Sequence, residues 1–392
     1  MDKYGDRTRD EHEVEEFIRG NLDRMTLNAR KFTLAESESD PMPANSREVK
    51  GYDFNNGVNY SKLIQSYAGV GFQASHLGRA INVVNKMIDT RFQPIPAGVR
   101  TEGHKEHIFA NRRVTNCTIF LGYTSDMVSA GTRELIRYLV EHNMVDCIVT
   151  TAGGIEDDFM KCRTPFYHRN FRMNGADLHK RAHNRTGNLI VPNNCYREFH
   201  KFLNPILEDM REDQMLRTEW TPQKLIWHLG KEINDPASIY YWAYRKRIPV
   251  FCPAIRDGAV GDVLYFHRHV RGRTAVKLDI VEDIQALNDM AVQSVNTALI
   301  TVGGGVIKHH ILNANTFRDG ADFSLFINTA AEFDGSDAGA SPDEAKSWGK
   351  ISPQRTPVKV FADATLVLPL LVAETFAKRE DEFKVFNRTN LN

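Results

Sequence analysis

Cysteine is sparse in this chain of 392 residues, and so is any excess of charge of one sign. The five cysteines, Cys117, Cys147, Cys162, Cys195 and Cys252, are odd in number and far apart, with no C-x-x-C pair. That pattern excludes a cysteine zinc site and a disulfide framework, and no metal is expected. Fifty Lys and Arg balance fifty Asp and Glu, so the chain-wide basic footprint of a nucleic-acid binder is missing. Long apolar runs are missing too: the greasiest, Leu366 to Ala373, is interrupted by Pro369 and too short to span a bilayer. Met1 to Asp10 is charged throughout and has no apolar centre, so the chain is expected in the cytoplasm, away from membranes. The dinucleotide fingerprint G-x-G-x-x-G is also absent.

What is present is the composition of a globular enzyme, 42% hydrophobic and 26% charged. Residues 1–48 form a polar lead-in in which Val14, Phe17, Ile18 and Leu22 recur at helical spacing, which predicts a short mobile helix. From Cys117 the pattern becomes strand, helix, strand. Cys117 to Gly122 and Val145 to Thr150 read as strands around a helix from Ser129 to His142. Further helices are expected at 237–246 and 280–292, with strands at Pro249 to Pro253, Ala298 to Val302, Phe323 to Asn328 and Val358 to Phe361. The alternation predicts an α/β fold with a doubly wound, mostly parallel sheet of Rossmann-like type and an N-terminal helical extension. The expected organisation is an extension over 1–48, one catalytic domain over 49–380 and a tail over 381–392.

Small residues stand at the strand exits: Tyr123-Thr-Ser125, Thr151-Ala-Gly-Gly154, Arg256-Asp-Gly258, Gly303-Gly-Gly305, Thr329-Ala330 and Ala362-Asp-Ala364. Ligands of open α/β sheets bind at this edge, where small residues let a nucleotide approach the backbone. For any single glycine, turn geometry is an equally good explanation. Carboxylates crowd the same places: Glu156, Asp157 and Asp158, then Asp257 and Asp262, then Asp334, Asp337, Asp343 and Glu344. Brought together they would favour a small cation, because opposite charges 4 Å apart attract by ~4 kcal/mol at an effective dielectric near 20. Taken one at a time, each could equally cap a helix or face solvent.

Ser341-Pro-Asp-Glu344 has the form of a capping box, with Ser341 as N-cap and Pro342 at the first helical position. In the helix that follows, Glu344 and Trp348 share a face while Lys346 points to the other side, into solvent. Gly349 ends the helix and Lys350 emerges beside Trp348. A lysine attacks a carbonyl or imine only as the free amine, so a catalytic role for Lys350 requires help from its surroundings, with His309 or Glu156 as candidate proton acceptors.

Glu332-Phe-Asp-Gly-Ser-Asp337 followed by Pro342-Asp-Glu-Ala-Lys-Ser-Trp-Gly-Lys350 closely resembles the active-site signature of the deoxyhypusine synthase family. The resemblance continues through Gly51-Tyr-Asp-Phe-Asn55, Gly71-Phe-Gln-Ala74, Thr150-Thr-Ala-Gly-Gly154, Gly303-Gly-Gly-Val-Ile-Lys-His-His310 and Phe361-Ala-Asp-Ala364, covering about residues 48–378. It implies an NAD-dependent transferase that oxidises spermidine and carries its aminobutyl group as an imine on an enzyme lysine, with loss of diaminopropane. The group then passes to one lysine of the precursor of eukaryotic translation initiation factor 5A.

By matched motif the resemblance makes Lys350 the nucleophile and His309 the histidine at the reacting amine. It places Glu156, Asp262, Gly335, Ser336, Asp337, Glu344 and Trp348 around spermidine. Ser125, Asp126, Met127, Val128, Ser129, Thr151, Ala152, Gly153, Asp157, Asp257, Gly304, Thr329, Asp363 and Ala364 fall to NAD. A homotetramer, a dimer of dimers with sites at the dimer interface, is implied as well. The chain departs from the family at Asp157, where Glu is frequent, and at Asp126, where Asn is usual and a carboxylate now stands near the expected phosphates. The basic segment 165–187, with Arg169, Arg172, Lys180, Arg181 and Arg185, matches poorly and reads as a solvated insertion. Homospermidine synthase, whose acceptor is a free diamine, and a silent regulatory paralogue are the alternatives.

Overall fold

The computed structural model describes residues 7–33, 46–98 and 114–390. The chain divides into two compact units, Met1–Glu48 and Val49–Asn392. In the first, helix α1 runs over Arg7–Thr33 and is far longer than the short helix expected around Val14 to Leu22. Gly20 costs only about 1 kcal/mol relative to Ala, and the Glu, Arg, Leu and Met residues on either side are good helix formers, so the helix passes through it. Its apolar stripe of Val14, Phe17, Ile18, Leu22 and Met25 is exposed.

The second unit opens with α2 (Tyr60–Ser66) and α3 (Phe72–Phe92), followed by β1 (Thr118–Tyr123). The helix expected over 129–142 is α5 (Arg133–Glu141), which starts four residues later than expected and is preceded by a separate short α4 (Asp126–Ser129). Gly131 and Thr132 are poor helix residues, and the Lys161 ammonium donates to the carbonyls of Val128, Ser129 and Ala130 at 2.9, 3.0 and 3.1 Å, ending α4 there. Next come β2 (Cys147–Thr150) and α6 (Ala152–Lys161). The basic segment then folds as β3 (Tyr167–His168), α7 (Gly175–Lys180), β4 (His183–Thr186) and β5 (Leu189–Pro192). These strands form a separate antiparallel sheet in the order β3-β5-β4, which the sequence pattern did not announce.

The chain continues through α8 (Asn193–Met215), α9 (Pro222–Ile233), α10 (Ile239–Lys246), β6 (Val250–Phe251), α11 (Ala259–Arg271) and α12 (Ile280–Val292). It closes with β7 (Thr297–Val302), α13 (Val306–Thr316), β8 (Phe323–Asn328), α14 (Pro342–Ser347), β9 (Val358–Phe361), α15 (Ala364–Glu374) and α16 (Glu380–Asn390). Residues 380–390 are thus helix, with Phe383 buried in the core.

The main sheet is parallel, in the order β6-β2-β1-β7-β8-β9. Its central strands are apolar without alternation because both faces are covered. Ile119, Leu121 and Tyr123 belong to one core, while Phe120 joins Val149, Leu299 and Phe326 in a second core. From β1 the chain winds outward to β2 and β6, and from β7 in the opposite direction to β8 and β9. The reversal lies between β1 and β7, where a doubly wound sheet opens a crevice at its carboxyl edge. Among the described residues no helix is long and apolar enough to cross a membrane.

Candidate active site

The carboxyl edge carries two groups of side chains, one on each half of the sheet. On the half containing β1, β2 and β6, the first turns of α4 and α6 are locked together. The Ser125 N–H donates to Thr151 Oγ1 at 3.1 Å, and a Cβ on Gly153 would come within 2.7 Å of the Ser125 Cβ. Ser129 Oγ donates a short hydrogen bond to the Asp157 carboxylate. Burial, only partly offset by Ser129, raises the Asp157 carboxyl to about 7. Asp126, Asp257 and Asp262 are exposed at the same edge.

Two of the carboxylates on this half serve the backbone. Glu156 Oε2 accepts from the Val260 N–H at 2.9 Å, and a Cβ at Gly258 would come within 2.6 Å of it, so Glu156 lies buried under the first turn of α11. Burial raises its proton affinity and the Ala259 and Val260 amides lower it. Asp158, fully buried, binds Arg133 Nε at 2.7 Å, Ser238 Oγ at 2.5 Å and the Ile239 N–H at 3.0 Å, and so caps α10. For Asp158 the capping role replaces any role in a ligand pocket.

On the other half, Gly303 adopts φ 94°, and a Cβ on Gly304 would overlap Ala338, because the loop from Thr329 to Ser341 passes directly over the glycines. Asp363 caps α15 by accepting from the Thr365 N–H at 2.7 Å, with Ala364 buried behind it. Beneath the loop lies a cavity of about 470 Å³. His309, Asp337, Glu344, Trp348 and Lys350 line it, with Lys308 and Ser341. His309 Nδ1 stands 3.7 Å from Asp337 Oδ1, while Asp337 Oδ2 is buried with no hydrogen-bond partner. Lys350 Nζ lies 5.7 Å from the Trp348 ring centroid.

The local sequence builds this wall. Ser341 Oγ accepts from the Asp343 N–H at 3.3 Å and starts α14. Gly349, at φ 68°, donates to the Lys346 carbonyl at 2.9 Å, and the Lys350 N–H returns to the Ala345 carbonyl at 2.9 Å. Lys350 also accepts from the Ala321 N–H at 3.1 Å, which fixes its backbone just ahead of β8, so the cavity runs along α13 from the carboxyl edge toward the amino end of β8. Lys346 is absent from the cavity wall. Its ammonium is 3.9 Å from Asp343 Oδ1 and its side chain is 25% exposed, so it is partly covered rather than the free surface lysine expected.

The structure therefore gathers Lys350, His309, Asp337, Glu344 and Trp348 around one cavity. Gly335, at φ 71°, and Ser336 shape the loop above it. Glu156 and Asp262 lie on the opposite half of the sheet, with Ser125, Met127, Val128, Ser129, Thr151, Ala152, Gly153, Asp157 and Asp257; Gly304, Thr329, Asp363 and Ala364 belong to the cavity's half. The sequence pattern did not single out Lys308 and Lys359. Lys308 donates to the Asp337 carbonyl, and Lys359 donates to the carbonyls of Gly339 and Ala330 at 2.7 and 3.2 Å. A lysine between Val358 and Val360 inside a buried strand was the available signal for the second.

A signature lysine, a histidine paired with an aspartate and an indole wall on one cavity make the family testable. Residues 62–375 match the family model for deoxyhypusine synthase. The chain belongs to the deoxyhypusine synthase family. It is 55% identical over 342 residues to a probable deoxyhypusine synthase of Drosophila melanogaster, covering 87% of this chain and 92% of the relative. It is 49% identical over 363 residues to homospermidine synthase 1 of Senecio vernalis, covering 91% and 96%. A crystal structure of an Entamoeba histolytica protein assigned to deoxyhypusine synthase superposes with a TM-score of 0.59 at 36% identity, covering 84% of this chain and 97% of the other. Within the family fold the cavity brings the Lys350 amine, the His309 imidazole and the carboxylates of Asp337 and Glu344 onto one wall.

Proposed function

We propose that this chain transfers the aminobutyl group of spermidine, with NAD as cofactor, to a lysine of the precursor of eukaryotic translation initiation factor 5A. The observation that carries the reading is Asp337 Oδ2, a buried acceptor without a donor, on the same cavity as Lys350 and Trp348. An acceptor left unpaired inside a protein costs free energy until a ligand supplies a donor, and an ammonium is the strongest donor available. Glu344 gives the cavity a second carboxylate, so an extended polyamine fits better than a monoamine.

For NAD, the packing of the turns at the carboxyl edge is the relevant observation. Gly153 seats the start of α6 against Ser125, and Gly304 seats its turn against Ala338, which brings small-residue turns together beside the crevice where a dinucleotide would lie. Ser125, Asp126, Met127, Val128 and Ser129 would hold it on one side of the crevice, with Thr151, Ala152, Gly153, Asp157 and Asp257; Gly304, Thr329, Asp363 and Ala364 would hold it on the other. NAD held there would supply the hydride acceptor for oxidation of spermidine and the hydride donor for the final reduction. His309 removes the proton of the reacting amine, with Asp337 nearby to stabilise the imidazolium. Asp337 and Glu344 hold ammonium groups, and the Trp348 indole gives the cavity an apolar wall. Lys350 attacks the oxidised carbon, diaminopropane leaves, and the aminobutyl imine on Lys350 is handed to the acceptor lysine. Glu156 and Asp262 complete the polyamine site across the assembly. A homotetramer in the cytoplasm completes the reading, and assembly would supply a covering surface for the exposed Phe333 and Trp348, 91% and 65% accessible.

Incubating the purified chain with NAD, radiolabelled spermidine and the precursor tests the reading, with label expected in the precursor and diaminopropane released. The 49% identity to a homospermidine synthase supports a second reading, transfer to a free diamine such as putrescine. Label in the diamine alone would select it. No transfer to either acceptor would leave only a regulatory paralogue.

A further inference from the structure

Lys308 carries an unusual charge for its place. Neighbouring positions on a helix point about 100° apart, so next to His309 the Lys308 side chain turns toward the sheet, where it is 4% exposed and forms part of the cavity wall. Its ammonium lies 5.6 Å from the Phe326 ring centroid and donates to the Asp337 carbonyl oxygen. Among the described residues it has no ion pair. A buried cation held by a carbonyl and a ring is expensive, and an apolar side chain would avoid that desolvation. Burial lowers its proton affinity, Asp337 raises it, and Lys359 lowers it again, so the charge is also crowded.

What this charge touches gives it a purpose. Several hydrogen bonds of the loop above the cavity are local, among them Ser336 to Asp334 at 2.8 Å and Gly339 to Ser336 at 3.0 Å. The ties from the loop to the body of the sheet include two lysines, Lys308 to Asp337 and Lys359 to Ala330 and Gly339. Asp337 is held by its carbonyl while its carboxylate bears the unpartnered Oδ2. We propose that Lys308 is a positioning residue: by fixing the Asp337 carbonyl from below, it sets the Asp337 carboxylate where the ligand's ammonium group arrives. The inference rests on the polyamine reading and adds a residue to it. Lys308 does not meet the ligand's charge directly, since both are cations.

Two measurements test it. Lys308→Met keeps the chain length and removes the donor. In the ligand-free protein the amides of Ser336 to Ala340 should then exchange hydrogen at least tenfold faster, with those of β8 unchanged; unaltered loop exchange overturns the tie. Lys308→Gln, which still carries N–H donors on a shorter arm, should give an intermediate acceleration and carries the same test if the methionine variant does not fold. The second measurement is a double-mutant cycle on the spermidine KM. Lys308→Met and Asp337→Asn should each raise it at least tenfold with the NAD KM within twofold. Together they should raise it by much less than the product of the single effects. Fully multiplicative effects would show that Lys308 does not act through Asp337 and would overturn the proposal. If the unmodified protein binds no spermidine, the polyamine reading falls and loop exchange still decides the tie.

Discussion

Lys350 leaves α14 through Gly349, and that left-handed residue separates it from Lys346, which pairs with Asp343 outside the cavity. Lys350→Arg keeps a cation but replaces the amine nucleophile with a guanidinium that stays protonated. Transfer should therefore fall below detection while NAD binding and Tm stay unchanged; Lys346→Arg should leave transfer within twofold. Asp337→Asn should raise the spermidine requirement at least tenfold, as expected for a charge-assisted hydrogen bond worth ~1.5–3 kcal/mol. A steady-state comparison of spermidine and NAD saturation separates this from a general loss of structure. Asp157 makes a prediction of a different kind. Its carboxyl is raised to about 7 in the fold against 3.8 in an unfolded chain, so the folded state holds its proton more tightly. Its contribution is fully present below about pH 4 and is lost as pH rises through 7, by about 1.4 kcal/mol for each pH unit between those two values. Thermal unfolding from pH 4 to 8 should show the wild type losing stability relative to Asp157→Asn over that window. Parallel curves would contradict the assignment.

Helix ends, more than helix bodies, build the site. The Lys161 ammonium closes α4, Gly349 closes α14, and Asp363 opens α15 at the edge of the sheet. Asp363 thus has a structural task as well as the cofactor role proposed for it, and substitutions can separate the two. Asp363→Ala should cost about 0.5–2 kcal/mol of stability through the lost cap and also weaken NAD. Asp363→Ser keeps a capping oxygen, so denaturant unfolding should return close to wild type while calorimetry still shows weakened NAD binding. Full recovery of both would reduce Asp363 to a cap.

Across the whole molecule, the parallel sheet was legible because strands covered on both faces spell short apolar runs, as in Thr118–Tyr123, Thr297–Val302 and Phe323–Asn328. The small basic sheet was not: β4 reads His-Asn-Arg-Thr, has little apolar content, and owes its existence to pairing with β5. Composition placed Asp158 among the pocket acids, yet its partners are Arg133, Ser238 and Ile239, distant in sequence and visible only once folded. The wall of Glu344, Trp348 and Lys350 was legible because it is one local helix and its ending. Its companions His309 and Asp337 stood among the candidate acids and bases, but only motif resemblance joined them to that wall, since nothing in spacing alone joins two strand exits.

Which side chain carries the aminobutyl group decides the mechanism. Borohydride added during incubation with NAD and spermidine, followed by peptide mass analysis, reads this directly. The expected result is a single aminobutyl adduct on Lys350 that requires NAD and disappears in Lys350→Arg. An adduct on Lys346 or another lysine, or one formed equally well without NAD, would contradict the mechanism.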